Sequence, residues 1–169
     1  MGLLWFDGEH IPRSKSIKYL GVILDCKLSW NNHVGEILKK ANCRFAQLYP
    51  LINRTSALSI RAGRHMYLML LRPILTYQSS VWGYTEKSKV NKLQVFQNKV
   101  LRMVAHAPRA IKRPVLHRDL DVPSIKNFII NLDARFYDKL ETIDNEIINL
   151  LGISTSAPPL CYSKRIHTH

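Results

Sequence analysis

Residues 29–50 read SWNNHVGEILKKANCRFAQLYP. Apolar residues recur in this stretch every three or four positions, as at Val34, Ile37, Ala41 and Phe45, which is the spacing of one face of an α-helix. Similar patterns follow at 59–75, at 90–104 after a turn signal at 83–88, and at 125–140. These stretches predict a mainly α fold: a bundle of four to five helices with a small N-terminal antiparallel β-hairpin and strand.

Short polar side chains mark where the helices are expected to begin. Ser29 or Asn31 is expected to cap the first helix, Ser59 the second and Ser124 the fourth, because such side chains accept hydrogen bonds from free backbone N–H groups. Pro50 and the polar residues 53–56 are expected to end the first helix, since proline lacks the N–H that would continue it.

Proline also shapes the expected middle of the chain. Pro73 is expected to kink or interrupt the second helix. Residues 106–123 contain three prolines among basic residues and are predicted to form an irregular loop. A fourth helix, with Phe136 on its apolar face, and a short fifth helix at 145–151 then precede a loose tail.

The N-terminal residues carry the β-strand signals. Asp7 and Gly8 lie between two short apolar or alternating runs and both tolerate positive φ, which predicts a tight hairpin. Residues 17–24 are then predicted to form a strand. The expected division of the chain is 1–28 for these strands, 29–152 for the helices and 153–169 for the tail.

Positive charge is concentrated in the middle of the chain. The 169 residues carry a formal net charge of +13, and the segment 41–118 contains fourteen Lys and Arg residues but one acid, Glu86. Each cation placed against a phosphate releases condensed counterions, so this segment indicates a nucleic-acid partner. The alternative is the solvated surface of a basic helical protein.

Cysteine usage and hydropathy indicate the expected compartment. Cys26, Cys43 and Cys161 are too scattered for a disulfide framework or a zinc knuckle, which is typical of a reducing intracellular compartment, nucleus or cytoplasm. The longest apolar stretch, 66–75, is interrupted by Arg72 and Pro73, so no membrane span is expected.

Several short motifs occur in a recognisable order. KYLGVILD at 18–25 is followed by LRPILTY at 71–77, by LQ, QN and LR pairs within 93–102, and by LHRDL and VP within 116–123. Over roughly 15–152, this order and spacing resemble the region that follows the catalytic palm in jockey-like non-LTR retrotransposon reverse transcriptases, which are RNA-directed DNA polymerases.

The resemblance implies that the chain binds nucleic acid. The helices would form the thumb, which holds the backbone of an RNA–DNA or RNA duplex, and the strand at the palm's end would resemble the primer grip. The primer-grip-like residues would be Lys18, Tyr19, Leu20 and Gly21. The residues expected to contact phosphates are Lys39, Lys40, Arg44, Arg61, Arg64, Lys92, Lys99, Arg102, Arg109, Lys112 and Arg113.

The sequence departs from the family pattern at two positions. Gln78 stands where the family usually has Gly, and Arg109 where an aromatic residue often follows the Ala-Pro pair. Gly21 has two interpretations: a site where another backbone approaches closely, or a packing or bulge glycine. At Gln78 and Arg109, the family pattern therefore does not predict the local turn geometry.

Polymerase chemistry needs two metal ions held by carboxylates from separate strands. No Asp-Asp pair occurs in this sequence, and Asp119 and Asp121, next to Arg118, are interpreted as solvated or ion-paired. We therefore expect no catalytic residue, metal site or cofactor in the chain and no polymerase activity from it by itself. The palm and its Mg²⁺ would belong to the parent polymerase, and the palm would be a partner of this chain. The alternative is a catalytically dead helical module that binds a protein partner.

Overall fold

The computed structural model describes residues 4–11, 14–53 and 56–143. Two β-hairpins precede a helical body: β1 (Leu4–Phe6) pairs antiparallel with β2 (Glu9–Ile11), and β3 (Ser16–Tyr19) with β4 (Val22–Asp25). The α-helical segments of the described residues are α1 (Asn31–Ile52), α2 (Ile60–Met66), α3 (Arg72–Thr76), α4 (Ser79–Trp82), α5 (Lys87–Val104), α6 (Arg113–Asp119) and α7 (Ile125–Thr142). The predicted mainly α class is confirmed.

Both hairpins turn through two residues with positive φ. In the first these are Asp7 (φ 47°) and Gly8 (φ 78°), as predicted. In the second they are Leu20 (φ 45°) and Gly21 (φ 83°), so the prediction of one continuous strand over 17–24 is wrong. Leucine disfavours the left-handed region, and this hid the turn in the sequence.

The start of α1 is organised by Asp25 and not by the predicted caps, Ser29 or Asn31. The Asp25 carboxylate accepts hydrogen bonds from the backbone N–H groups of Ser29 and Trp30, each at 3.0 Å, and from the Ser29 hydroxyl at 3.1 Å. These bonds, the Ser29 N–H first among them, lower the pKa of Asp25. The N-cap residue is Trp30, with φ 62° and no capping side-chain hydrogen bond.

The first helix ends at Ile52, between Pro50 and the polar residues 53–56 that were expected to end it. Pro50 lies in the last turn, where its missing N–H removes one hydrogen bond. The helix is held past it by Ile52, which is buried in the core, and by the Asn53 N–H, which donates to the Tyr49 carbonyl at 3.0 Å.

The second helical pattern begins where it was predicted to. The Ser59 hydroxyl accepts a hydrogen bond from the Ala62 N–H at 3.2 Å, which confirms the cap. The expected interruption takes the form of a π-helical turn, Tyr67–Leu71, directly before the segment that contains Pro73. A wider turn at this place is consistent with the hydrogen bond that Pro73 cannot donate.

Helix α5 lies at the centre of the body and packs against α1, α2, α6 and α7. Its apolar face, including Leu93, Val100 and Leu101, is buried as predicted. The predicted cap of α7 is also confirmed, since Ser124 Oγ accepts from the Asn127 N–H at 3.2 Å. Phe136 was expected to face the core but is 45% exposed, because α7 packs through its earlier residues.

The predicted irregular loop over 106–123 is wrong for its second half, which forms α6. Pro114 lies in the first turn, where the N–H that it lacks would have had no helical partner. Leu116 and Leu120 are buried and fix this short helix to the body. The predicted helix at 145–151 and the tail lie outside the described residues. No helix in the described ranges is long and apolar enough to cross a membrane.

Candidate nucleic-acid interface

Four of the predicted phosphate-binding residues meet in one cleft of about 670 Å³ between the end of α1, the outer face of α5 and the α5–α6 loop. We call it the basic cleft. It is lined by Tyr49, Asn53, Val95, Asn98, Lys99, Arg102, Met103, Ala107, Arg109 and Arg113. The lining residues include no Asp or Glu, so no carboxylate among them offsets the four cations.

Lys99 is positioned by an aromatic ring. Its ammonium nitrogen lies 5.2 Å from the centroid of Phe45, which is close enough for a cation–π contact. The Phe45 ring packs edge-on against Phe96, with centroids 6.0 Å apart, and both rings are buried. The ammonium group is therefore held at the wall of the basic cleft by the core beneath it.

Arg102 holds the loop that forms the other wall. Its Nη1 donates to the Pro108 carbonyl at 2.7 Å, and Nη1 and Nη2 both lie 3.2 Å from the Ile111 carbonyl. Arg102 thus contributes charge to the cleft while its hydrogen-bond donors bind the loop. Arg109 and Arg113, which are exposed, are better placed to reach a ligand.

The other seven predicted cations do not line the basic cleft. The guanidinium of Arg64 binds the Leu120 carbonyl, the Asp121 carbonyl at 2.9 Å and the Asp121 carboxylate at 2.8 Å, so it anchors the loop between α6 and α7. The remaining six are exposed elsewhere: Lys39, Lys40, Arg44, Arg61, Lys92 and Lys112.

A second cleft of about 790 Å³ adjoins the basic cleft and lies between α5, α6 and the start of α7. We call it the amide-lined cleft, after Asn91, Gln94, Asn98 and Asn127 in its lining. Three of its cations were missed by sequence reasoning: Lys87, Arg118 and Lys126. Lys126 was overlooked because it lies in residues 119–169, which contain more acidic than basic residues.

Hydrogen-bonded side chains form the floor of the amide-lined cleft. Gln94 Nε2 lies 2.9 Å from Asn98 Oδ1 and 3.2 Å from His117 Nε2, and His117 Nδ1 lies 2.8 Å from the Val122 carbonyl. A carbonyl can only accept, so Nδ1 carries a proton. His117 therefore links α6 to the following loop and to α5.

The four residues that were predicted to resemble the primer grip lie at the β3–β4 hairpin tip. Lys18, Tyr19 and Leu20 are exposed, and the Tyr77 hydroxyl donates to the Leu20 carbonyl at 3.1 Å. A Cβ added to Gly21 would lie 3.1 Å from Tyr77 Cε1. Gly21 is thus a turn glycine against which a tyrosine ring packs, and the close approach is made by a side chain.

A buried histidine joins the hairpin to α1. Nδ1 of His33 accepts the Ile23 N–H at 3.3 Å, and its ring packs edge-on against Trp30 and Trp82, at centroid distances of 6.3 and 5.5 Å. Burial, followed by the charge of Lys40, lowers the pKa of His33. The neutral imidazole is therefore the form that the fold accommodates.

Comparison with known proteins finds several relatives that cover most of the chain. It is 32% identical over 134 residues to the "Probable RNA-directed DNA polymerase from transposon BS" of Drosophila melanogaster, which covers 79% of this chain and 15% of the relative. It is 30% identical over 162 residues to the "Probable RNA-directed DNA polymerase from transposon X-element", covering 96% and 18%. It is also 30% identical over 161 residues to the "RNA-directed DNA polymerase from mobile element jockey", an alignment that covers 94% of this chain and 18% of the relative. These last two relatives are also from Drosophila melanogaster.

The chain is homologous to part of the jockey-like RNA-directed DNA polymerases. The family resemblance inferred from the motifs is therefore confirmed. The chain spans less than a fifth of the length of these relatives. No family model and no solved structure matches it.

The two positions that depart from the jockey-like pattern differ in what they do. Gln78, which replaces the usual Gly, has φ 53° and ψ 32°, a left-handed conformation that glycine adopts without strain. The backbone thus keeps the shape that the family's Gly would favour. Arg109, which replaces an aromatic residue, lies in the basic cleft.

Aromatic side chains can stack on bases, but several of those in the helical body lie in the core. Tyr67, Trp82 and Phe96 are buried, whereas Tyr77 is 51% exposed. Sequence reasoning missed Tyr49, which is 47% exposed in the basic cleft of this jockey-like chain. Its helical spacing gave no sign of exposure.

The two aspartates of the D-x-D sequence are ion-paired, as interpreted. The Asp121 carboxylate lies 2.8 Å from Arg64 Nη2, and the Asp119 carboxylate lies 3.1 Å from Nε of Arg118. Both pairs are exposed enough to contribute little to stability.

Proposed function

We propose that this chain is the thumb region of a non-LTR RNA-directed DNA polymerase and that it holds the template–primer duplex through its phosphate backbone. The observation that carries the proposal is the convergence of Lys99, Arg102, Arg109 and Arg113 in a cleft whose lining includes no acid. The homology to RNA-directed DNA polymerases gives this cleft its context.

The side chains of the basic cleft are better suited to contact the phosphate backbone of a nucleic acid than to read its base sequence. Lysine and arginine neutralise phosphates of any sequence, whereas sequence is read at base edges. A polymerase that moves along its template needs grip without sequence preference. In the proposal, Arg109 and Arg113 bind phosphates directly, while Lys99 and Arg102 supply positive potential from positions fixed by the core and the loop.

The hairpin tip supports a second contact with the duplex. Leu20 is 69% exposed and has φ 45°, so an apolar side chain occupies a strained backbone position at the surface. A turn selected for stability would carry Asn or Asp there. We propose that Lys18, Tyr19, Leu20 and Gly21 form a primer-grip-like contact.

The catalytic step is assigned to the remainder of the parent polymerase. In the proposal, carboxylates outside this chain hold the Mg²⁺ ions and this chain contributes only binding. The palm would cover apolar side chains that the hairpins expose, including Trp5, Phe6 and Ile17. The same exposed residues favour the second candidate, a module that binds another protein.

A matched pair of charge variants tests the proposal. Arg109→Gln/Arg113→Gln removes two charges from the basic cleft, and Lys39→Gln/Lys40→Gln removes two exposed charges elsewhere. Binding of an RNA–DNA hybrid is measured by fluorescence anisotropy across a salt series. The cleft variant is expected to flatten the dependence of log K on log salt by about 0.9 for each phosphate that the protein no longer neutralises, and the control by much less.

Two outcomes would contradict the proposal. One is no hybrid binding even at low salt, and the other is an equal loss of binding in both variants. Capture of one stoichiometric protein partner, with no bound nucleic acid, would instead support the protein-binding candidate.

A further inference from the structure

We propose that the amide-lined cleft receives one unpaired nucleotide, with its base held by side-chain amides and its phosphate held at the boundary with the basic cleft. The inference rests on the proposed function, because the strand gripped in the basic cleft would deliver the nucleotide. It adds a binding site for a base to a surface that otherwise contacts only backbone.

The polar groups of the amide-lined cleft match a base edge. Asn91 and Asn127 are exposed at its rim, and each amide offers both donors and an acceptor. A phosphate only accepts hydrogen bonds, so an amide's acceptor is of no use to it. Base edges combine donors and acceptors, and amide side chains pair with them in two-bond contacts.

Apolar groups complete the cleft. Val90, Pro114, Val122 and Pro123 contribute to its lining, and such surfaces suit the faces of a base ring. The volume of about 790 Å³ is within the range of pockets that bind small ligands. A duplex, with its bases stacked and paired, could present no single base to such a cleft.

The floor of the cleft is fixed before any ligand arrives. Gln94, Asn98 and His117 are tied to one another across α5 and α6 by the hydrogen bonds described above. The acid in the lining, Asp121, has its carboxylate bound to Arg64 at 2.8 Å, which reduces its repulsion of a phosphate. Arrangement in advance lowers the entropic cost of binding.

The two clefts share Asn98 and Arg113 in their linings. A phosphate bound by Arg113 would therefore have its own base within reach of the amide-lined cleft, while the rest of the strand followed Lys99 and Arg109. This continuity identifies the ligand as a phosphorylated nucleoside within a strand, in preference to an isolated base.

The test compares two RNA–DNA hybrids on the full chain. One is blunt and the other carries a single unpaired 2-aminopurine nucleotide, whose fluorescence reports a change in stacking. The unpaired nucleotide is expected to tighten binding about tenfold, and Asn91→Ala/Asn127→Ala to abolish that preference without weakening the blunt hybrid. Asn131→Ala, an exposed asparagine on α7 outside the cleft, is the control and should keep the preference.

A second experiment tests whether the amide-lined cleft recognises the base of the nucleotide or only its phosphate. Free adenosine monophosphate, unlike inorganic phosphate, is expected to remove the tenfold preference at high concentration and to shift the amide NMR signals of Asn91 and Asn127. Equal binding of the two hybrids, or a preference that survives in Asn91→Ala/Asn127→Ala, overturns the inference and leaves the proposed function standing. Nucleotide-dependent shifts at these amides without any hybrid binding would support the cleft's ligand chemistry while the proposed function fails.

Discussion

Gly21 combines a backbone conformation and a contact that both disfavour a side chain. Its φ is 83°, and a Cβ added there would lie 3.1 Å from Tyr77 Cε1, which is closer than ordinary van der Waals contact. Gly35, on the exposed surface of α1, has open space around its Cα and helical backbone. Substitution by alanine is therefore expected to have opposite effects on stability at these two positions.

Gly21→Ala is expected to lower the free energy of unfolding by about 1–2 kcal/mol, because alanine would be strained in the left-handed region. Gly35→Ala is expected to raise it by about 0.5–1 kcal/mol, since alanine loses less entropy in a helix. Urea unfolding of both variants measures these changes. Equal effects of the same sign would show that the turn is not as described.

His33 predicts how stability depends on pH. Its pKa in the folded chain lies below the ordinary 6.5, so the unfolded chain binds the proton more readily. Stability is therefore full above pH 6.5 and declines as the pH falls below it. Protonation of Nδ1 would also remove the acceptor of the Ile23 N–H.

Urea midpoints at pH 8 and pH 5.5 are expected to differ more in the native chain than in His33→Gln, which has no titrating ring. A His65→Gln control, at an exposed position on α2, should retain the native dependence. An unchanged pH dependence in His33→Gln would contradict the assignment.

The sequence shows which residues are charged, but it does not show what each charged side chain contacts. Arg64 and Arg102 were predicted to bind phosphates on the same grounds as Arg109, because all three lie in the basic segment. In the fold, Arg64 bonds to carbonyls 56 and 57 residues away, and Arg102 to those of its own following loop. Such partners follow from how loops fold back onto helices, which no local pattern encodes.

At the scale of elements, Gln97 joins α5 to the start of α7. It is fully buried, its Nε2 donates to the Pro123 carbonyl at 2.8 Å, and its Oε1 accepts the Ile125 N–H at 3.0 Å. The Ile125 N–H has a second acceptor in Gln94 Oε1 at 2.9 Å, but Gln97 donates the bond to Pro123. This contact sets where α7 begins relative to α5.

Gln97→Leu is expected to lower the free energy of unfolding by about 1–3 kcal/mol, because it removes the buried amide that donates to the Pro123 carbonyl and accepts the Ile125 N–H. Gln47→Leu, at an exposed position of α1, should be close to neutral. Both are measured by chemical unfolding. A neutral Gln97→Leu would mean that water or a rearranged loop satisfies the carbonyl.

The long helices with a buried apolar face and the Asp7-Gly8 hairpin were predictable, whereas the short helix α6 and the β3–β4 turn were not. The pattern over 90–104 predicted α5 (Lys87–Val104), because a long helix with one buried face leaves little ambiguity. Helix α6 was missed because it has only seven residues and begins next to a proline, so its buried Leu116 looked like an isolated apolar residue. The β3–β4 turn was missed because Leu20 breaks the rule that identifies such turns.

At the scale of the whole molecule, the helices bury their apolar side chains in a core, whereas the two hairpins expose several of theirs. The helical core includes fully buried Trp82, Leu93 and Leu101. In the hairpins, Phe6 is 75% and Ile17 61% exposed. Apolar surface of this kind promotes association with other protein.

The isolated chain is therefore expected to self-associate and to unfold at a modest temperature, within or below the roughly 45–65 °C typical of mesophile domains. Phe6→Thr/Ile17→Thr should reduce self-association in sedimentation velocity without lowering the unfolding midpoint, because neither side chain is buried in the described fold. Val81→Thr/Val95→Thr makes the same kind of change at exposed positions on α4 and α5 and should leave association unchanged. A monomeric native chain with a sharp, reversible transition above about 70 °C would show that the hairpins need no covering partner.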